Sequence, residues 1–456
     1  MTEVSAKKRI WGWMMFDWAS QPYHTLLLTF IFGPYFAEIV ANSLMTSGMT
    51  PDAAKAQAQA YWGYGLSITG LIIAFSAPVL GAFADSSGRR TLWIKTFSVL
   101  YVLGAGGLWF ADPGNFNIAI VLMFFGIGLI GAEFTTIFTN SILPTLAPPE
   151  DIGRISGSGF ALGYWGGVIS LFIMLLFFAE NATGVTLLGI SPLFGLESGA
   201  REGTRFVGPF TALWFIIGMI PFFLWVRETP RENATEGGVK TALGSLWKTI
   251  KSLPQRSSLF AFLTSSLFYR DALNGLYGFG ALYAKAVLDW SIIQIGIFGI
   301  VGAITAAIFA YFGGHIDQRT GPKPILKVAI LVLIGVCIVV VSMTRESLFG
   351  IQFLQGSSAP DIIFFICGGL IGGMGGVLQA SSRTMMVRHA NPLHATEAFG
   401  LYALSGKATS FLAPALVALT SDISGNARIG ITPLIALFII GLVLLVWVKP
   451  QGDQTA

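Results

Sequence analysis

The sequence predicts an all-α integral membrane protein of twelve transmembrane helices, arranged as two pseudo-symmetric six-helix bundles. Three observations lead there. Of 456 residues, 54% are hydrophobic and 11% charged, against about 25% charged in an ordinary soluble domain. Apolar runs of the about 20 residues that a bilayer-spanning helix needs recur from Trp11 to Val448, and twelve can be placed. A turn pattern that closes the second run returns six helices later, at the end of the eighth.

The predicted spans of the first half are 11–41, 61–84, 91–111, 117–143, 155–179 and 206–227. Those of the second are 258–286, 292–316, 324–344, 361–387, 397–421 and 428–448. With the N-terminus inside, 17 Lys and Arg fall on the cytoplasmic side, Lys7, Lys8, Arg9, Arg89, Arg90 and Arg231 among them. The opposite side receives six: Lys55, Arg201, Arg205, Lys285, Arg345 and Arg428. Basic residues stay on the cytoplasmic side of membrane proteins, so this excess sets the orientation and brings the C-terminus back inside. The first apolar run is too long for a signal peptide and has no Ala-x-Ala exit, so it is expected to stay as an anchor.

Residues 228–257 are polar and basic where their surroundings are apolar, and divide the chain. The expected organisation is an N-terminal bundle over 1–227, a cytoplasmic linker over 228–257 and a C-terminal bundle over 258–456. Within the linker Leu243, Leu246, Trp247, Ile250 and Leu253 fall on one helical stripe, with Lys240, Lys248 and Lys251 elsewhere. That pattern suits a helix lying on an anionic leaflet, or a plain amphipathic connection.

A net charge of +4 reflects loop topology here and does not indicate a nucleic-acid partner. Cys337 and Cys367 are the only cysteines, lie inside predicted spans, and lack metal or redox spacing. No metal site, cofactor motif or nucleophile elbow occurs, and His389 and His394 at i, i+5 make a poor ligand pair. An enzyme is therefore not expected. Glycine, at 55 residues, suits close helix contacts in lipid.

The repeated turns are Gly81-Ala-Phe-Ala-Asp85-Ser-Ser-Gly88-Arg89-Arg90 and Gly313-Gly-His-Ile-Asp317-Gln-Arg319-Thr-Gly321-Pro-Lys323. Gly81 admits a neighbouring helix, and Asp85 is placed to accept from the positive N-terminal end of another helix. Gly88 permits the tight turn, and Arg89 and Arg90 are placed for lipid phosphates or a cytoplasmic carboxylate. Asp317, Arg319 and Gly321 repeat this logic with one extra residue between aspartate and glycine. Both turns are expected to govern conformational change rather than solute recognition.

These turns resemble the loop 2–3 and loop 8–9 signature of the major facilitator superfamily, and the resemblance in helix count, linker and symmetry covers the whole chain. Gly157, Gly159, Gly163, Gly166 and Gly167 are similar to the glycine-rich fifth helix of superfamily antiporters. They lack that motif's proline and one residue, so antiport and symport stay open. A narrower resemblance rests on Phe16-Asp17-Trp18-Ala19-Ser20, Phe32-Gly33-Pro34-Tyr35-Phe36, Tyr269-Arg270-Asp271 and the segment from Phe399 through Lys407 to Ser410. Together these resemble the vacuolar effluxer branch, whose fungal members are linked to amino-acid release after autophagy and whose bacterial members mostly lack assigned substrates. Short loops favour a bacterial inner-membrane member.

Charged side chains inside a bilayer cost about 2.5–3.5 kcal/mol each, so those retained are the candidates for a substrate or proton pathway. In span 1, Asp17 and Gln21 share a face with His24 and Leu28, and Asp17 lies about 9 Å along the helix from Trp11. Glu133, Thr136 and Asn140 make a polar stripe in span 4, and Arg270, Asn274 and Tyr277 one in span 7, with Asp271 beside it. Span 10 adds Gln379 and Arg383, and span 11 adds Lys407. The superfamily resemblance implies that helices 1, 4, 7 and 10 line the cavity.

Basic groups of the second half then face acidic groups of the first, and an anion or zwitterion could bridge them. The same charges could instead pair with one another: Arg383 with Glu133, or Lys407 with Asp17 or Asp271. The expected function is secondary active transport of a small polar solute, an amino acid being the leading class, coupled to a proton through Asp17, Glu133 or Asp271. Sugar-like, peptide-like and amphiphilic solutes, and a non-transporting membrane sensor, are the alternatives. The expected partners are the small-molecule substrate, a proton and membrane lipids, for a chain acting as a monomer without cofactor.

Overall fold

A computed structural model describes residues 4–181, 183–227, 239–407 and 410–453. Eleven helices among them are long and apolar enough to cross a membrane: Ala6–Thr46, Pro51–Ser87, Arg90–Phe110, Ile118–Thr145, Ile152–Phe177, Glu202–Trp225, Gln294–Thr320, Pro322–Ser342, Ala359–His389, Pro392–Ser424 and Ala427–Trp447. A twelfth helix, Ser257–Leu288, has 32 residues, about 48 Å at 1.5 Å per residue. Its Arg270, Asp271 and Lys285 make it less apolar than the rest. In chain order these twelve are spans 1 to 12, with Ser257–Leu288 as span 7. A two-stranded hairpin, β1 (Ser347–Leu348) and β2 (Ile351–Gln352), was not foreseen. Its turn puts Phe349 and Gly350 at φ 51° and 82°, as a two-residue primed turn requires.

Two compact units organise the chain. The first comprises Met1–Ser76, Ser87–Asn140 and Leu162–Thr235; the second comprises Ala77–Ser86, Ser141–Ala161 and Glu236–Ala456. The end of span 2 and the start of span 5 thus belong to the second unit, although they come from the first half of the sequence.

In the first unit, span 1 is not the straight helix expected. Pro22 has no N–H to give the carbonyl of Trp18 four residues back, and that carbonyl accepts instead from Trp214 Nε1 at 3.1 Å. The two indoles stack with centroids 5.2 Å apart. After Pro22 the chain forms a π-helical stretch, Tyr23–Phe30, and breaks at Ile31, φ −120°. A π turn closes on i−5, here Ile31 N–H to the Leu26 carbonyl at 3.0 Å. The α-helical stripe of Asp17 and Gln21 therefore does not continue in register to His24 and Leu28. Span 5 packs on this helix through small residues: a Cβ on Gly166 would stand 2.6 Å from the Trp18 carbonyl oxygen.

In the second unit, spans 8 and 10 cross at Gly302 and Gly372, where a Cβ on Gly372 would meet the Gly302 carbonyl oxygen at 2.1 Å. In span 11 the described helices run over Ala395–Lys407 and Leu412–Ser424. Cys337 and Cys367 are buried free thiols. The linker helix runs over Val239–Ser252. Leu246 is buried, whereas Trp247 is 60% exposed with Lys251 Nζ 5.6 Å above its ring. Residues 228–238, Arg231 included, lie outside the described residues, as do the side chains of Lys240 and Leu243.

Candidate functional site

The expected pathway residues divide between the units. In the first, Asp17, Gln21 and Glu133 are half-buried and Asn140 is buried. The carbonyl of Asp17 lies against Gly163, where a Cβ would be 3.0 Å away, and a Cβ on Gly167 would be 3.0 Å from the Gln21 side chain. Glycines of span 5 therefore set the depth at which this polar face of span 1 sits.

In the second unit, span 7 leaves Asn274 and Tyr277 exposed, with Gln379 of span 10 half-buried. Asn274 is 17 residues beyond Ser257, about 26 Å along a helix of about 48 Å, and so near mid-depth. Lys407 is half-buried in span 11. Tyr269, Arg270 and Asp271 each reach a different element. Tyr269 Oη and Ser382 Oγ are 2.8 Å apart. Arg270 donates to the Tyr402 carbonyl at 2.9 Å, its guanidinium 4.2 Å from the Tyr402 ring centroid. Asp271, 1% exposed, accepts from Ala413 N–H at 2.8 Å through Oδ2. Its Oδ1 has no hydrogen-bond partner among the described residues.

Arg383 sits six residues before the end of span 10, about 9 Å in, and is 2% exposed. Its Nε donates to Ser156 Oγ at 2.9 Å and its Nη2 to the Ser156 carbonyl at 2.8 Å. Ser156 Oγ in turn donates to the Ala380 carbonyl at 2.8 Å, and Phe160 lies under the guanidinium. In this conformation Arg383 therefore serves the start of span 5. Ser156 was not legible in the sequence, being one small polar residue among the glycines of span 5.

The first repeated turn docks on the start of span 11. Asp85, buried, accepts from Glu397 N–H at 2.8 Å, the third residue of that helix. A carboxylate there satisfies an orphan N–H and opposes the positive helix end. A Cβ on Gly81 would stand 2.6 Å from the Thr396 carbonyl oxygen, so only glycine lets the two helices come this close. Thr396 Oγ1 donates to Ser141 Oγ at 3.0 Å. Gly88 closes the turn at φ 64°; Arg89 is exposed and Arg90 buried.

The second turn lies at the start of span 5. Asp317 is 1% exposed, and a Cβ on Gly153 would be 2.7 Å from its Oδ1. A Cβ on Gly157 would be 2.6 Å from Gly314 Cα, and Gln318 donates to Asp151 Oδ1 at 2.6 Å. Arg319 is exposed, and Gly321 has φ 80°. Asp85 and Asp317 thus each meet a helix start inside the second unit. Ser141, Thr396 and Glu397 were not legible in the sequence, because nothing local to them shows which turn they meet.

Against this geometry, the family model for the vacuole effluxer Atg22-like proteins matches residues 5–152 and 149–454. The chain is 26% identical over 445 residues to YxiO, an MFS-type transporter of Bacillus subtilis, covering 97% of this chain and 95% of that one. It is 24% identical over 300 residues to autophagy-related protein 22 of Cryptococcus neoformans, and spans about half of that protein's length (49%). Among solved structures, the Escherichia coli fucose:proton symporter FucP superposes with a TM-score of 0.68 at 13% identity, covering 96% of this chain and 98% of that one. The human organic anion transporter MFSD10 gives 0.67 at 15%, covering 97% and 99%. The chain therefore belongs to the Atg22-like vacuole effluxer family, has the major facilitator fold, and is an integral-membrane secondary transporter rather than an enzyme.

Proposed function

We propose that the protein moves a small polar solute, with an amino acid as the leading class, by alternating access coupled to a proton. The observation that carries the polar-solute reading is the mid-depth exposure of Asn274 and Tyr277, with Gln379 half-buried. An amide facing hydrocarbon is costly, so such a face belongs to a wet path. Each unit also retains half-buried acidic or basic side chains suited to a polar solute, Lys407 in the second and Asp17 and Glu133 in the first, in a chain with few such residues in its spans. Arg383, bonded to Ser156, acts in the conformational step in this reading.

The proton enters at a carboxylate, among Asp17, Glu133 and Asp271. The Lys and Arg excess supports cytoplasmic termini, and the match to YxiO over nearly the whole chain supports a bacterial inner membrane. Gly81, Asp85, Gly88, Arg89, Arg90, Asp317, Arg319 and Gly321 act in the conformational step.

A thermal-shift screen of the purified protein against the twenty amino acids, fucose, xylose and dipeptides tests the solute class. A ligand of the native state at 100 times its Kd contributes about 2.7 kcal/mol, and an amino acid is expected to give that shift and to support counterflow in proteoliposomes. A shift from a sugar alone would overturn the amino-acid reading. Proton coupling is expected to make uphill flux collapse with a protonophore; flux that persists on a sodium gradient alone would exclude it.

A further inference from the structure

The connection between spans 5 and 6 has a charged neck and an uncharged tip. At the neck Glu180 is buried and accepts from Thr204 N–H at 3.1 Å and Thr204 Oγ1 at 2.8 Å, with Arg201 Nε 3.0 Å from its Oε1. Ser198 Oγ draws the two sides together by donating to the Gly184 carbonyl at 2.7 Å. From Thr183 to Leu196 no residue is charged, and Leu187, Leu188, Ile190, Leu193 and Phe194 are all exposed. An exposed apolar patch of this kind marks an interaction surface.

The tip does not project away from the spans. Leu187 N–H donates to the Leu175 carbonyl at 3.0 Å, and Leu175 lies two residues inside the end of span 5 at Phe177. That carbonyl is available because Ala179 N–H turns to Met174, five residues back, at 2.7 Å. The Phe194 ring packs 5.5 Å from Phe178 and 6.2 Å from Phe206, centroid to centroid. It is nevertheless 79% exposed, and its backbone is at φ 63°, where a bulky residue is an outlier that its surroundings must enforce. The loop therefore folds its apolar side chains back alongside the ends of spans 5 and 6. They continue the apolar surface that those spans turn outward, Ile169 and Phe172 on span 5 and Leu213 and Ile217 on span 6, all exposed.

We propose that residues 183–196 form a lipid-docking surface, with Leu187, Leu188, Ile190, Leu193 and Phe194 entering the leaflet on the side away from the linker. The occupant of the patch is lipid, because the patch is continuous with the lipid-facing surface of a membrane-spanning bundle and carries no charge to favour water. The neck stays at headgroup level, where Glu180 pairs with Arg201. Anchored in this way, the loop fixes the depth at which span 5 ends and span 6 begins.

The test uses the wild-type protein in phosphatidylcholine–phosphatidylglycerol liposomes that contain a phosphatidylcholine with a diazirine on its acyl chain close to the headgroup. After illumination and proteolysis, mass spectrometry is expected to find adducts on residues 183–196 as it does on Leu213–Leu224 of span 6. The yield should be about tenfold above that on residues 47–50, an exposed connection on the same side. Leu187→Asp with Phe194→Asp is expected to lower the loop adducts about tenfold, since charge is costly among acyl chains, and to leave those on span 6 unchanged. Loop adducts no higher than on residues 47–50 while span 6 is labelled would overturn the proposal, and this wild-type result decides even if the double variant does not fold. Adducts that survive the double substitution in folded protein would also overturn it. So would a disulfide between copies through Phe194→Cys, in a background with Cys337→Ala and Cys367→Ala, since the patch would then cover a second copy.

Discussion

The two repeated turns carry the same sequence logic and end in different geometry. In the first, Asp85 is followed after two residues by Gly88 at φ 64°, ψ 15°, a left-handed cap closing span 2. In the second, the extra residue lets span 8 continue through Thr320. Gly321 then takes φ 80°, ψ 166° and serves as the N-cap of span 9, with Pro322 following. Asp85 consequently makes a direct bond to a helix-start N–H, while Asp317 presses its Oδ1 toward Gly153 with no hydrogen-bond partner for that atom among the described residues. A one-residue insertion thus preserves the kind of element met, a helix start, and changes how the aspartate meets it.

The glycines should break the symmetry most strongly. Gly81→Ala drives a methyl into the Thr396 backbone, and Gly314→Ala one to 2.8 Å from the Gly153 carbonyl oxygen and Gly157 Cα. Both are expected to cost about 1–3 kcal/mol, as overpacking does when backbone must move, read as a fall in apparent melting temperature. Gly313→Ala meets only Val377 side-chain atoms, the nearest at 2.8 Å, and is expected to cost about 0.5–1.5 kcal/mol, the cost of an off-rotamer side chain. Equal losses at Gly81 and Gly313 would show that the first turn is no more tightly docked than the second.

Ser156→Ala comes next. It removes the acceptor of Arg383 Nε and the donor to the Ala380 carbonyl, and leaving buried groups unpaired costs about 1–3 kcal/mol. Arg383→Lys should match it, since a lysine cannot span the Ser156 hydroxyl and carbonyl together. Chemical denaturation of the two single variants and the double variant checks this; fully additive losses would show that the residues do not act as a pair. Smallest are Arg89→Ala and Arg319→Ala, both exposed and expected to stay within about 0.5 kcal/mol. A larger effect at Arg319 would show that the second turn relies on its arginine where the first relies on its aspartate.

Much of this was legible in the chain. The twelve spans follow from apolar runs, and their observed ends overrun the expected ones mainly where polar turns continue a helix, as at Pro51–Ser87. Span 7 was readable as a span despite Arg270 and Asp271 because its length exceeds what a bilayer needs. Two features were not readable in the same way. The π stretch of eight residues after Pro22 is one, because tertiary packing by Trp214 decides where the freed carbonyl goes. For Arg383, an intramembrane arginine pointed equally to a solute or to a partner, and the partner seen, Ser156, is uncharged and distant in sequence.

We propose that Asp85 and Asp317 set a conformational equilibrium by holding helix starts. The most direct test is the labelling rate of Thr396→Cys, a position 0% exposed, by a membrane-impermeant maleimide on protein in nanodiscs. Converting Asp85 to Asn removes the charge facing the helix end, an interaction worth up to about 2 kcal/mol in partly buried sites, so the rate should rise about tenfold or more. Asp317→Asn should raise it less, because its carboxylate faces a different helix start. A rate in Asp85→Asn equal to that of the parent would contradict the account.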